Sequence, residues 1–499
     1  MITECTQSDF NFKGLEKREV VAKFDGGTIT SDAGALLLRE VDSATAIVRQ
    51  FSECFEDFRD PDLIEHSVSE LVGQRVYGLA LGYEDLNDHD ELRKDPLLAT
   101  LAGKTDPTGQ HRERECDRGK PLAGKSTLNR LELTPPDANR KSRYKKIVIN
   151  ENAVERFFVN VFLQAFPEPP ERILLDFDAT DDPLHGNQEG RFFHGYYRNY
   201  CYLPLYVFCG EQLICARLRS SNIDAAAGSV EELERIVPQV REKWPNVEIV
   251  IRADSGFARD AIMAWCEENN VTYILGLAKN ERLKREIVGQ LEAAKKECEE
   301  TGHAARRYKD FRYQTRKSWT RERRVLGKAE HLSKGANPRF VVTSIPSETL
   351  DAESLYEEYC ARGDMENRIK EQQLDLFADR TSTSLMRGNQ IRLWFSSVAY
   401  TLLQALRRPG LEGTEFEHAQ CGTIRLKLLK IGAQVRVSIR RVLISMASGY
   451  PYVHLFAEVY KKLRSLKPVP TWLALTLHYQ RTIAFRSSTW NLKSTVSLD

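Results

Sequence analysis

Three carboxylates recur along this 499-residue chain in settings that suit metal-assisted phosphate chemistry. Asp178 ends the apolar run Ile173-Leu174-Leu175-Asp176-Phe177-Asp178. Asp254 ends a second run, Ile249-Val250-Ile251-Arg252-Ala253-Asp254, and is followed by Ser255-Gly256-Phe257. Glu366 falls in the pattern Tyr359-x2-Arg362-x3-Glu366. Phosphodiester cleavage works well with two divalent cations, one activating the nucleophile and one stabilising the leaving oxygen. Mg²⁺ is a hard ion that prefers oxygen and keeps several waters, so a few carboxylates suffice to hold it. Two acids at the ends of neighbouring strands and a third on a helix make such a cage, with Mn²⁺ able to substitute. Strand alternation puts Asp176 and Asp178 on one face, so alternation does not choose between them, and Asp181 and Asp182 crowd the same region. Asp178 is preferred because it stands at the strand's exit, before Ala179-Thr180.

The elements that must position these acids follow from periodicity. Residues 1–150 read as a mostly helical DNA-binding region. From 151 the pattern is helix (Glu151 to Phe166), strand (Arg172 to Asp178), and two apolar runs (Tyr202 to Phe208, Gln212 to Leu218) joined by Cys209-Gly210-Glu211. A helix from Asp224 as N-cap to Trp244, a strand, a short helix and a further strand complete the series. Three strands, helix, strand, helix, strand is a ribonuclease-H-like order, an α/β fold. The expected organisation is catalytic core over 151–280, a strand-rich insertion over 281–338, core again over 339–408, and a C-terminal region over 409–499 for DNA contact or dimerisation. One helix from Ala352 to Leu374 is expected to carry Glu366.

The bulk composition sets limits. Net charge is +1 and charged residues make up 29%, so local rather than total charge must mark any DNA surface. The ten cysteines are scattered with no CxxC pair, which predicts reduced thiols in an intracellular protein. The cysteines and histidines between His185 and Cys215 have no zinc-like spacing, although His194 is placed near the first acid. Met1-Ile2-Thr3-Glu4-Cys5 lacks the character of a signal peptide, and the apolar stretch Ile391 to Leu406 carries Arg392 and Gln404, so it reads as a buried helix and not a span.

Basic segments supply candidate DNA contacts. Residues 303–328 carry ten Lys or Arg, among them Arg316, Lys317, Arg321, Arg323 and Arg324, against Asp310 and Glu322. Tyr308, Phe311, Tyr313 and Trp319 are interleaved, the composition of a platform that tracks a backbone and stacks bases. A second stripe over 423–441 holds Arg425, Lys427, Lys430, Arg436, Arg440 and Arg441 without an acid. Gly119 to Ser126 fits GxxxxGK[ST], but the charged residues before it cannot form the buried strand a phosphate loop follows, so no nucleotide cofactor is expected. The same segment reads instead as a helix-turn-helix, with Asn129 and Arg130 on the recognition helix.

These motifs together resemble the DDE transposases of bacterial insertion sequences, the cut-and-paste group with an insertion between the second and third acids. The resemblance rests on Asp178-Ala179-Thr180, on Arg252-Ala253-Asp254-Ser255-Gly256-Phe257, and on Tyr359-x2-Arg362-x3-Glu366. Asp181-Asp182-Pro183-Leu184-His185-Gly186, Asp379-Arg380-Thr381, Asn389-Gln390 and Thr423-Ile424-Arg425-Leu426-Lys427 add to it. It implies that Asp178, Asp254 and Glu366 hold the catalytic metals and that Tyr359 and Arg362 contact phosphates at the element's end. It suggests Trp319 as a wedge for a flipped base. The family signature has Lys seven residues after the Glu; here Gln373 stands there, and Lys370 lies one turn from Glu366. The implied activity is Mg²⁺-dependent cleavage and strand transfer at terminal inverted repeats, by a homodimer on double-stranded DNA in the bacterial cytoplasm, at the nucleoid when bound. The alternative is a related nuclease, or a host-adopted copy that binds DNA without transposing.

Overall fold

A computed structural model describes residues 9–468. The remainder of the expected C-terminal region, 469–499, and the first eight residues lie outside the described part. A mixed sheet organises the structure. Its strands are β1 (Arg172–Ala179), β2 (Leu205–Cys209), β3 (Gln212–Arg217), β4 (Glu248–Ala253), β5 (Thr272–Leu277), β6 (Ala305–Tyr313), β7 (Arg323–Leu332) and β8 (Arg339–Thr343). They lie in the order β3-β2-β1-β4-β5-β8-β7-β6, with the two-residue strand Gly335–Ala336 added beside β7. β1, β4 and β5 run parallel; the other pairings are antiparallel.

The apolar runs explain the parallel centre. Strands covered on both faces read as continuous hydrophobic stretches, and β4 is buried at every position from Ile249 to Ala253. One face packs on helices α1 (Ser229–Lys243) and α2 (Asp260–Glu268) through Leu233, Ile236, Ile262 and Met263. On the other face, Val250 and Ile274 meet Leu355 of α3 (Ala352–Cys360). Tyr206 and Phe208 pack into the cluster built around α5 (Met386–Leu406).

Three expectations need correction. The helix expected from Asp224 begins at Ser229 behind Gly228, whose positive φ of 81° suits glycine. Asp224 instead caps a preceding turn by accepting from the Ala226 amide at 2.9 Å. The single helix expected over 352–374 is two, α3 and α4 (Gly363–Leu376). The chain tightens between them: the amides of Arg362 and Met365 bond to carbonyls three residues back, at Tyr359 and Arg362. The helix-turn-helix is not formed. Only a short 3₁₀ turn at Glu115–Asp117 lies between Gly103 and the helix Lys125–Leu133. That helix buries Leu128 and Leu131.

The segment 281–338 begins with two helices, Glu281–Glu286 and Val288–Thr301, and then turns to strand. Its long hairpin β6–β7 pairs with β8 and so continues the main sheet beyond β5. A separate short hairpin, Phe192–His194 with Asn199–Tyr202, pairs with Asp182–Pro183 just downstream of β1. Among the described residues no helix is long and apolar enough to cross a membrane.

Candidate active site

The first two acids meet because their strands are neighbours. β1 and β4 pair in parallel with Ala253 opposite Phe177, so the next residues along, Asp178 near the end of β1 and Asp254 just past β4, stand side by side. Asp254 turns the chain into a 3₁₀ helix and accepts from the Gly256 amide at 2.8 Å. α4 delivers the third acid. Its positions 362, 366, 370 and 373 lie at helical spacing, and Arg362, Glu366, Lys370 and Gln373 line the same cleft as Asp178 and Asp254. The cleft has a volume of about 590 Å³. Met365 and Ile369, both buried, anchor the helix in the core, and Ile369 also lines the cleft.

The candidate acids at β1 differ in position. Asp178 lines the cleft; Asp176 and Asp181 do not. Asp176 lies two residues deeper, 3% exposed, and takes both prongs of the Arg252 guanidinium at 2.6 and 2.8 Å. Arg252 also donates to the Glu358 carbonyl, which ties β1 and β4 to α3. Asp181 accepts from Asn199 at 3.0 Å.

Arg362 sits between two of the acids, 3.1 Å from Asp178 and 2.8 Å from Glu366. Burial pushes the Asp178 carboxyl up to about 6. Arg362 opposes that shift, while Asp254 and Glu366 add to it by like-charge repulsion. Tyr359 approaches from α3. A Cβ on Gly276 of β5 would come within 2.5 Å of the Tyr359 hydroxyl and 2.9 Å of the Ser255 amide. Glycine there is what lets the tyrosine reach the turn after Asp254.

Gln373 does not extend freely. Its amide donates to the Asp181 carbonyl and, at 2.9 Å, to Asp182. Asp182 is fully buried, and burial raises its carboxyl to about 8. A neutral amide is the donor that suits a carboxyl so biased toward its protonated form.

His194, placed near the first acid by its sequence position, lines the cleft. Tyr197, which sequence reasoning missed, does too. Its hydroxyl donates to the Ala179 carbonyl at 3.3 Å, and its ring lies 4.9 Å from that of His194. The signal was present in the density of aromatic residues from Phe192 to Tyr200.

The residues expected to grip DNA divide. Arg316 and Lys317 are exposed, and so is Arg321, which pairs with Glu267 at 3.3 Å. Three others are corrections. Trp319 is 6% exposed and packs edge-on against Tyr313 at 5.7 Å, so it presents no free face to a base. Arg323 is 2% exposed and bound to Asp260 and Glu267 at 2.6 and 2.7 Å. Arg324 is held by Asp310 and the Ile345 carbonyl. Asn129 and Arg130 are half-buried and do not line the cleft. In the second basic stripe, Lys430 pairs with Asp32, Arg425 donates to the Ala80 carbonyl, and Arg440 and Arg441 are exposed at a hairpin tip.

Three carboxylates facing one cleft are a donor set that fits a hard divalent cation. Among the described residues no group of three acids, histidines or cysteines is arranged as a formed metal site. The Arg362 guanidinium instead supplies positive charge between Asp178 and Glu366. No curated protein matches the chain. The family model for the transposase DDE domain, group 1, matches residues 12–468. With that span embracing both strands, the helix that carries Glu366 and the hairpins around them, the chain belongs to the DDE transposases.

Proposed function

We propose that this transposase binds the inverted repeats at the ends of its own mobile element, cuts there, and joins the freed 3′-hydroxyls to target DNA. The supporting observation is the delivery of Asp178 and Asp254 by adjacent parallel strands into one cleft closed by the helix carrying Glu366. The order β3-β2-β1-β4-β5, with helices on both faces, supports a ribonuclease-H-like core. Asp178, Asp254 and Glu366 would hold Mg²⁺, or Mn²⁺ in its place, which activates the attacking oxygen and stabilises the leaving one. Arg362 and Tyr359 position a backbone phosphate, and Lys370, exposed on the same helix face, adds a charge contact. Joining two ends calls for a homodimer on double-stranded DNA, working in the bacterial cytoplasm at the nucleoid. Residues 9–150, the exposed Arg316, Lys317 and Arg321, and the hairpin tip at Arg440 and Arg441 are the proposed surfaces for the rest of the duplex.

The test uses DNA that brackets the gene. Wild-type protein with Mg²⁺ should nick and release its ends, and Asp254→Asn should bind the same duplex while losing cleavage. Cleavage that survives in Asp254→Asn removes the metal-cage reading. Cleavage without any strand-transfer product selects the nuclease alternative.

A further inference from the structure

The short hairpin beside Asp178 carries an aromatic surface exposed to solvent among the described residues. Its register places Phe193 opposite Tyr200, and Phe192 opposite Cys201. Cys201 is fully buried, so the Phe193–Tyr200 face is the outward one. Phe193 is 57% exposed, Tyr200 43%, and Tyr196 at the turn 84%. The rings are already ordered: Phe193 meets Tyr200 edge-on at 5.5 Å, Tyr196 meets Tyr197 at 5.0 Å, and the Arg191 guanidinium lies 3.9 Å above Tyr200. Exposed aromatic clusters of this kind mark binding surfaces.

Two observations select the occupant. The patch adjoins the cleft at the hairpin's turn, where the exposed Tyr196 lines the cleft beside Tyr197 and His194. Its cations lack acid partners: Arg191, Arg198 and Lys370 have no carboxylate within the 4.0 Å ion-pair distance among the described residues, and Arg191 instead meets Asn187 and the Tyr200 ring. Flat apolar rings interleaved with cations match the two parts of a single nucleic-acid strand, its bases and its phosphates. A duplex offers only phosphates and groove edges, with its base faces hidden in the stack.

We infer that the 191–200 hairpin is a stacking platform for unpaired bases of the DNA strand entering the cleft, with Tyr196 and the Phe193–Tyr200 pair as the stacking faces. The inference rests on the reading of the cleft as a DNA site. It goes further in assigning the strand's bases, which the acids do not touch.

The probe is a short single-stranded oligonucleotide carrying 2-aminopurine, compared with the same strand annealed to its complement, in full-length protein. Wild type should quench the fluorophore on the single strand. Tyr196→Ala combined with Phe193→Ala should abolish the quenching and weaken single-strand binding about tenfold or more, with duplex binding unchanged. Tyr196→Trp should retain both signals. Tyr196→Ala alone serves as the folding control, since the side chain is almost wholly exposed and its melting temperature should match wild type. Equal losses for single strand and duplex, or no loss on either, overturn the inference. Loss of self-association with DNA binding intact overturns it in favour of a protein partner. Surviving cleavage in Asp254→Asn with the single-strand preference intact would sink the catalytic reading and leave the platform standing.

Discussion

The long hairpin β6–β7 and the short hairpin at 192–202 are both rich in arginine and aromatic residues, and they use them in opposite ways. In the long hairpin, Tyr313 and Trp319 join the hydrophobic cluster beneath the sheet, and Tyr308 packs on Tyr356 from the other face. Most of its cations are taken as well, Arg306 by Glu330, Arg307 by Glu297, Lys309 by Glu286, Arg323 by Asp260 and Glu267, and Arg324 by Asp310, while Arg312, Arg316 and Lys317 have no ion pair among the described residues. In the short hairpin Phe193, Tyr196 and Tyr200 face solvent, and Arg191 and Arg198 have no carboxylate partner among the described residues. Composition alone therefore does not locate a nucleic-acid surface. What separates the two is whether another element supplies acids and apolar area to absorb the same residue types.

The comparison breaks most visibly at Arg323. Arg323→Ala leaves Asp260 and Glu267 without their cation and should cost about 3–5 kcal/mol in urea unfolding. A loss confined to DNA affinity, with stability intact, would make the long hairpin a binding surface after all. Trp319→Ala comes next, removing a buried indole at a cost of about 3 kcal/mol. A merely surface tryptophan would give less than about 0.5 kcal/mol.

Asp182 sharpens the comparison from the base of the short hairpin, where it pairs with Tyr202. Its folded pKa lies above its ordinary value, from 3.8 to about 8, so the folded state holds the proton that the unfolded state releases in that window. Stability should fall as pH rises between those limits, by up to about 1.4 kcal/mol per pH unit, and Asp182→Asn should flatten the slope. A slope unchanged in the variant would show that Asp182 is charged when folded. The smallest stability effect belongs to Tyr196→Ala, within about 0.5 kcal/mol of wild type by thermal unfolding. A larger loss would mean that the short hairpin, too, uses its rings for packing.

Much of the site was legible in the sequence, because apolar runs ending in acids are a local signal. The β1 and β4 runs identified two adjacent strands, and helical spacing put Glu366, Lys370 and Gln373 on one face. Alternation did not separate Asp176 from Asp178, and although the strand's exit favoured Asp178, the tie of Asp176 to Arg252 was not legible, since Arg252 arrives from a different strand. Trp319, Arg323 and Arg324 were misplaced for the same reason: their partners, in α2, in β6 and after β8, are distant along the chain or across the sheet. The helix at Lys125 was visible, but the absence of a companion helix before it depends on loop packing that periodicity does not report. The break between α3 and α4 left only one weak signal, Gly363, a poor helix former.

The placement of Arg362 has a thermodynamic consequence. One guanidinium shared between Asp178 and Glu366 acts as a resident counter-ion for the acid cluster. A backbone phosphate that draws the guanidinium to itself leaves those carboxylates with a stronger affinity for a divalent cation. By reciprocity, a cation that displaces the guanidinium from the carboxylates frees it for the phosphate with the same coupling free energy. On the proposed reading, loading of DNA and loading of metal would be linked through this one side chain, and the cluster would stay in check until a DNA end arrives.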